Sequence, residues 1–260
     1  MEEIICEIFQ FVESLKSFHA EKIFEDCNKQ TNIPKKIFCN ALEIENGLYM
    51  FFWGINFQAF SQSLIILRQL SEQVCFLNVV SKHKECYDII NEHSKLKLDC
   101  LKYDNIDDLE VKNKFKDSKC KAKKLHEEAK KRFPNIKKLV LNDYLEYGWM
   151  LEFTDKCGVE KLYEISDFEV FKKWRKISNS VVHNTISFYQ NPSKYQQGLI
   201  IESLNVVFAL LELYMCSYEN ITASDFIHNN IDYREKLHFI NAKFIVTKKI
   251  LNYENMLHDK

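Results

Sequence analysis

Residues that form turns are scarce along this chain. Its 260 residues include only five glycines and three prolines, whereas proteins on average use about 7% glycine and 5% proline. A fold of many short strands needs such residues at each of its turns. The scarcity therefore predicts long helices joined by few turns, that is, an all-α fold.

The hydrophobic content is sufficient for one sizeable core. Hydrophobic residues make up 46% of the chain and aromatic residues 13%, which a chain of this length can bury in large part. We expect a single helical domain over residues 1–260, built as a multi-helix bundle of about seven to nine helices.

Apolar residues recur at helical spacing through most of the chain. Pro34, Pro134 and Pro192 mark breaks, because proline cannot continue a helix. We expect the lysine-rich segment 104–138 to form a protruding helical element. The periodicity predicts helices over residues 3–28, 34–55, 58–82, 83–103, 107–133, 167–189, 193–218 and 232–257.

Charge and cysteine usage indicate a cytoplasmic protein. The net charge is −1, so any attraction to an anionic partner must be local. The nine cysteines are scattered without a C-x-x-C pair, which favours free, mostly buried thiols over a disulfide framework. The N-terminus opens with acidic residues, unlike a signal peptide. The most apolar stretch, 199–215, reads as a buried helix, and we expect no membrane association.

Arg175, Asn179 and His183 follow one another at four-residue spacing on a predicted helix, so that they share one face. An imidazole can serve as an acid or base, and a guanidinium can hold a phosphate. About 12 Å of helix axis separates Arg175 from His183. Antiparallel pairing of two copies would bring the arginine of one chain near the histidine of the other. The alternative is a hydrogen-bonded core histidine.

Arg68 and Glu72 form an i,i+4 pair on a predicted helix. They fall on the same stripe as apolar residues, where an ion pair must lose its hydration unless further polar groups satisfy it. The pair is thus a candidate site. The alternatives are a surface ion pair, worth about 0.3–0.5 kcal/mol, and a buried structural clamp.

The segment 112–138 holds twelve Lys or Arg residues and only three acidic ones. Concentrated basic charge attracts phosphate backbones, which makes RNA a candidate ligand; the alternative is a solvated helix face. The candidate RNA-binding residues are Lys119, Lys121, Lys123, Lys124, Lys130, Lys131 and Arg132.

Several other chemistries have no sequence support. The chain contains no glycine-rich phosphate loop, no H-E-x-x-H and no G-x-S-x-G, the motifs that mark nucleotide sites, zinc proteases and serine hydrolases. The spacing of the eight histidines predicts no metal site. We expect no cofactor and no metal.

The segment from Ser178 to His183 resembles the R-N-x-x-x-H signature of the HEPN superfamily, all-helical domains of bacterial toxins and anti-phage defence ribonucleases. Arg68 and Glu72 resemble the R-x-x-x-E helix of related bacterial families of unknown function. The resemblance implies a homodimer that cleaves RNA without a metal, with His183 and Asn179 at the site. Ser178 stands at the family's arginine position, so Arg175 or Arg68 would supply the positive charge.

Two hypotheses follow. The first is a HEPN-like, metal-independent endoribonuclease of defence or toxin type, with RNA as substrate and a catalytic set of His183, Asn179, Arg175, Arg68 and Glu72. The second is a non-catalytic helical module that binds a partner protein of a defence or toxin–antitoxin system. In the second, the same residues form a buried structural network.

Overall fold

The computed structural model describes residues 1–57, 59–82, 109–132, 192–228 and 231–258, together with individual residues between 84 and 99. The prediction of an all-α protein is confirmed for this part of the chain, which holds six helices and one two-stranded ribbon. Further predicted helices fall outside it, so the expected count stays a prediction. The elements are α1 (Glu2–Lys29), α2 (Lys35–Asn56), α3 (Phe60–Lys82), α4 (Leu109–Arg132), α5 (Pro192–Thr222), β1 (Ile227–His228), β2 (Ile231–Asp232) and α6 (Tyr233–His258).

The helix bounds agree with the apolar periodicity to within a few residues. The largest difference is in α5, which begins at Pro192 and continues to Thr222, four residues beyond the predicted end. Proline fits there because the first helical position needs no N–H donor. The ribbon of β1 and β2 was not predicted. It pairs Ile227 with Asp232 in antiparallel register, and strands of two residues carry too little alternation to be recognised in a sequence.

The core lies where α1, α2, α3 and α5 meet. Helix α2 packs against α1 and α3, α3 also packs against α5, and α6 covers α1 and α5. The buried side chains of α1 recur at helical spacing, and the same holds for α2. The buried apolar side chains form one continuous cluster. Its largest fully buried rings are Tyr214, Tyr218, Phe11, Phe38, Phe51, Phe52, Phe76, Phe208 and Phe226.

Helices α2 and α3 form an antiparallel hairpin with two close contacts. A Cβ atom on Gly54 would lie 2.3 Å from Ser63 Oγ, and one on Gly47 would lie 2.4 Å from Leu70 Cδ2. Both distances are far below ordinary contact, so the glycines let the two backbones approach. The contacts also define which turns of α2 and α3 lie side by side.

Two described helices have the length and composition of a membrane span, Phe60–Lys82 and Gly198–Thr222. Their most apolar windows are 71% and 50% buried inside the protein, which is the behaviour of core helices. Length and composition alone are therefore weak evidence for a span.

The described cysteines are free, as expected, but the expectation that they are mostly buried is wrong. Only Cys75 is buried, and Cys27 is partly exposed. The others lie on outward faces of helices, because their positions fall outside the apolar registers that build the core. The exposed ones are Cys6, Cys39, Cys120 and Cys216.

Candidate functional site

The central residues of the predicted site, Arg175, Asn179 and His183, lie outside the described residues. Their proposed alignment and their pairing across a dimer stay predictions. Arg68 and Glu72 are described, and so is the backbone of the lysine-rich helix.

Arg68 and Glu72 lie on α3 as a partly exposed ion pair. Arg68 Nε and Glu72 Oε1 are 3.7 Å apart, and the two side chains are 30% and 32% exposed. Partly exposed charges keep much of their hydration, so the pair does not carry the full desolvation cost of a buried one. The alternatives were a candidate site, a surface ion pair and a buried structural clamp. This geometry is nearest to that of a surface ion pair.

Helix α4 presents a basic surface around one packed face. Ser118 and Leu125 are buried, and Leu125 joins the apolar core. Lys116, Lys121 and Lys124 are exposed. At 100° per residue Lys121 borders the packed face, whereas Lys116 and Lys124 lie farther round the helix. Lys121 and Lys124 are two of the predicted RNA-binding residues, and their role in RNA binding stays a prediction. The side chains of Lys119, Lys123, Lys130, Lys131 and Arg132 lie outside the described residues.

A buried polar network joins three helices at the centre of the core, and sequence reasoning missed it. His19 on α1, Glu45 on α2 and Tyr214 on α5 are all fully or almost fully buried. His19 Nδ1 and the Tyr214 hydroxyl both hydrogen-bond Glu45 Oε1, the tyrosine at 2.9 Å.

A second polar group lies beside the first. The hydroxyls of Tyr218 and Ser224 donate to Asp26 Oδ2 at 2.9 and 2.8 Å. The His19 ring connects the two groups, since its centroid lies 4.5 Å from that of Tyr218 in an edge-on arrangement. Together the two groups tie α1 to α2, to α5 and to the segment that follows α5.

Burial holds both tyrosines in the protonated state. Desolvation, followed by the charge of Glu45, raises the pKa of Tyr214 well above its ordinary value. Desolvation and the neighbouring Asp26 carboxylate likewise raise the pKa of Tyr218. Both hydroxyls therefore act as hydrogen-bond donors at neutral pH and do not supply a phenolate nucleophile.

The network has the residue types of an acid–base site but the surroundings of a structural one. His19 Nε2 and Glu45 Oε2 are buried, and neither has a hydrogen-bond partner within the described part of the chain. A substrate in solution has no access to side chains enclosed by Phe226, Tyr214 and Tyr218. We therefore assign the network to the cohesion of the helices. A sequence signal existed, because His19 and Glu45 occupy apolar registers of α1 and α2.

A surface pocket between α5 and α6 brings together further reactive residue types. Its volume is about 200 Å³, and its lining includes Glu212, Cys216, Arg234 and His238. His238 Nε2 lies 3.6 Å from Glu212 Oε1, with both side chains well exposed. Arg234 is bound to Glu219 at 2.8 Å. Exposed pairs of this kind contribute little binding energy, and no three-residue metal cluster occurs among the described residues.

Comparison with known proteins finds no family model, no curated protein and no solved structure that matches this chain. The function has to be argued from the residues of the chain itself.

Proposed function

We propose that this chain is a HEPN-like, cytoplasmic protein of bacterial defence or toxin type, which binds RNA through α4 and cleaves it as a homodimer without a metal ion. The observation that carries the proposal is the exposed basic surface of α4. Cleavage is proposed from the resemblance of the segment from Ser178 to His183 to the HEPN signature.

The charge of α4 suits a phosphate backbone. Between Leu109 and Arg132 the sequence has ten Lys or Arg residues and four acidic ones, although the whole chain is nearly neutral. Neutralising phosphates releases counterions, which makes binding strong at low salt and largely independent of RNA sequence. Lys116 and Lys124 lie away from the packed side of α4, and Lys121, at the edge of that side, is exposed as well.

The proposed chemistry needs a general acid–base group and a fixed positive charge. The 2′-oxygen would attack the adjacent phosphorus while the bond to the 5′-oxygen breaks, which gives a 2′,3′-cyclic phosphate and a 5′-hydroxyl. His183 would take the proton of the 2′-hydroxyl and return it to the leaving 5′-oxygen. Asn179 would orient the imidazole, and Arg175 of the other chain would stabilise the charged phosphate. Arg68 is the second candidate for the charge, although its guanidinium lies beside Glu72, which offsets its field. We therefore favour Arg175.

Binding and cleavage can be tested separately with single-stranded RNA. The double variant Lys121→Glu/Lys124→Glu should bind RNA more weakly, and its logarithmic salt slope should fall by about 0.7 for each phosphate that the variant no longer neutralises. His183→Ala should bind as the wild type does but cleave nothing in EDTA. The readouts are fluorescence anisotropy for binding and gel analysis for cleavage.

The matched control is Lys236→Glu/Lys249→Glu, which reverses two exposed lysines on α6 and should leave RNA binding unchanged. Equal losses in both double variants would show only a general effect of net charge and would refute the α4 interface. Cleavage that survives in His183→Ala, or that EDTA abolishes, would refute the proposed chemistry.

A non-catalytic helical module is the second candidate function. It is favoured by Arg68 and Glu72, which pair with one another on a partly exposed face of α3. In that case His183→Ala should lower the free energy of unfolding by about 1–3 kcal/mol, as for a broken buried hydrogen-bond network. The wild type would then leave RNA intact.

A further inference from the structure

The tip of the α2–α3 hairpin is free of charge over a long stretch of sequence. Residues 46–67 contain no Asp, Glu, Lys, Arg or His, in a chain with 28% charged residues. The run covers the C-terminal half of α2, the connection and the first turns of α3. Protein surfaces ordinarily carry charge at about a quarter to a third of their positions, so this tip differs from the usual surface.

Large apolar side chains are exposed along one face at this tip. Trp53 and Phe57 are 44% and 65% exposed, and their ring centroids lie 4.3 Å apart. Met50, three residues before Trp53, is 46% exposed. Residues at this spacing line one side of a helix, so the three form a continuous stripe that ends at the tip.

Helix α3 adds to the same outer end of the hairpin. Ile65 is 48% exposed. The close approach of Gly54 to Ser63 places Ile65 at the level of Phe52, one helical turn or less from Trp53 and Met50. Ile65 is two residues from Ser63, so it lies on the side of α3 turned away from α2. It adds apolar surface at the height of the stripe but separate from it.

We infer that the tip formed by Met50, Trp53, Phe57 and Ile65 docks on the electrically neutral interface of a lipid bilayer. Trp is enriched where membranes meet water, because its ring is apolar with one polar N–H. A hairpin tip without charged residues of its own suits a neutral lipid interface. This inference is independent of the proposed function and departs from the expectation of no membrane association.

The dimensions fit shallow insertion. From Met50 to Phe57 the helix advances about 10 Å, close to the 5–10 Å to which interfacial segments enter the headgroup boundary. Each arm of the charge-free run has about half of the roughly 20 residues that a spanning helix requires. Glu45, just before the run, is held in the core by His19.

The size of the patch argues against a second protein copy as the occupant. Its four side chains present about 400 Å² in all, taking about 200 Å² for a fully exposed large side chain. A stable protein interface buries about 800 Å² on each partner. A bilayer needs no opposing surface of matching shape, so a patch of this size is sufficient for reversible docking.

Helix α6 offers a matched comparison on the same molecule. Phe239 is 63% exposed, almost as much as Phe57, and lies on a stripe with Val246 and Ile250. Lysines interrupt this stripe, and Lys243 Nζ lies 4.9 Å from the centroid of the Phe239 ring. Phe239→Glu is therefore the control for Phe57→Glu, since both place a carboxylate at an exposed phenylalanine.

The test is flotation of the full chain with phosphatidylcholine vesicles. The wild type should float with the vesicles, and raising the salt from about 0.1 to about 1 M should not release it, because screening acts on charges only. Phe57→Glu should lower the bound fraction about tenfold or more. Phe239→Glu should float as the wild type does. Circular dichroism checks that the variants stay helical, and Trp53→Gln replaces Phe57→Glu if the latter unfolds.

Three results would overturn the inference. The first is a wild type that stays in solution with neutral vesicles, or that floats only with anionic vesicles at low salt, which would indicate the lysines of α4. The second is equal flotation of Phe57→Glu and the wild type. The third is a wild type that does not float but forms a particle of twice the 31.0 kDa chain mass, where substitution at the tip abolishes that particle. This result would identify the patch as a contact between copies.

Discussion

At the scale of the residue, His19 and Glu45 meet in the core because each occupies a helix position at which the periodicity predicts a buried apolar side chain. Both are buried. A polar or charged side chain in the core is destabilising unless it is hydrogen-bonded. Glu45 Oε1 receives two hydrogen bonds, from His19 and Tyr214. The arrangement selects one alignment of α1, α2 and α5, since sliding any helix breaks a bond that water cannot replace.

Glu45→Ala should destabilise the protein strongly. Removing the carboxylate takes away the acceptor that both groups share and leaves His19 Nδ1 and the Tyr214 hydroxyl only one another as partners, at 3.3 Å. A buried polar group that is left poorly paired costs about 1–3 kcal/mol. Urea unfolding measures the loss. Glu21→Ala, on an exposed position of α1, is the control and should change stability by no more than about 0.5 kcal/mol. A loss for Glu45→Ala as small as that of the control would contradict the structural role.

Tyr214 should make the stability fall in alkaline solution. Because burial raises its pKa above the ordinary 10.0, the unfolded state loses the phenolic proton before the folded state does. The contribution is fully present below about pH 10 and is lost at up to about 1.4 kcal/mol per pH unit above it. Unfolding free energies at pH 8 and pH 11 should therefore differ more in the wild type than in Tyr214→Phe. The same pH dependence in both proteins would exclude Tyr214 as its source.

At the scale of the element, α2 and α3 pack closely because two glycines of α2 leave room for side chains of α3 against the α2 backbone. Gly54 faces Ser63, whose hydroxyl is fully buried and donates to the Ala59 carbonyl at 3.0 Å. Glycine lowers the helical propensity by about 1 kcal/mol relative to alanine, and close packing offsets this cost. The hairpin thereby holds the exposed tip residues in fixed positions.

Alanine should have opposite effects at two helical glycines. Gly54→Ala pushes the Ser63 hydroxyl out of its hydrogen bond, and the loss of this buried hydrogen bond lowers the free energy of unfolding by about 1–3 kcal/mol. This loss exceeds the gain in helical propensity from glycine to alanine. Gly198→Ala meets nothing within 4 Å and should stabilise by about 0.5–1 kcal/mol. Adding Ser63→Ala to Gly54→Ala should restore much of the loss. Thermal unfolding measures all three, and equal shifts at the two glycines would contradict the close contact.

At the scale of the whole molecule, the chain carries both an uncharged hairpin tip and a basic helix. The tip of α2–α3 carries no charge over residues 46–67, whereas α4 concentrates lysines on its outer side. Near-neutral total charge means that only such local concentrations can steer a partner. The proposed nuclease adds a requirement for two copies, because Arg175 and His183 of one chain are about 12 Å apart along a helix.

Two inactive variants should complement one another if the site is shared between chains. Arg175→Ala and His183→Ala should each abolish RNA cleavage alone. Random mixing by joint refolding makes half of the dimers mixed, and each of these has one intact site, so about a quarter of wild-type activity should return. Cleavage of a labelled RNA measures the recovery. A mixture as inactive as its components would refute a shared site.

The sequence alone determined the helical class and most of the helix bounds. Periodicity and proline breaks are local properties, so α1, α2, α3, α4 and α6 lie within about three residues of their predicted ends. The basic character of α4 was equally readable, because charge is written directly in the composition. Neither inference required knowledge of contacts between residues that are far apart in the sequence.

Only the tertiary structure decided which side chains share an environment. His19, Glu45 and Tyr214 are separated by 26 and 169 residues along the chain, and no local pattern joins them. The same limit applies to Trp53 and Phe57, which a hydrophobic pattern assigns to the core but the packing of α2 leaves on the surface. The periodicity of a helix can be read from its own sequence, whereas the burial of its side chains depends on which helix faces pack together. That packing is determined by the whole chain.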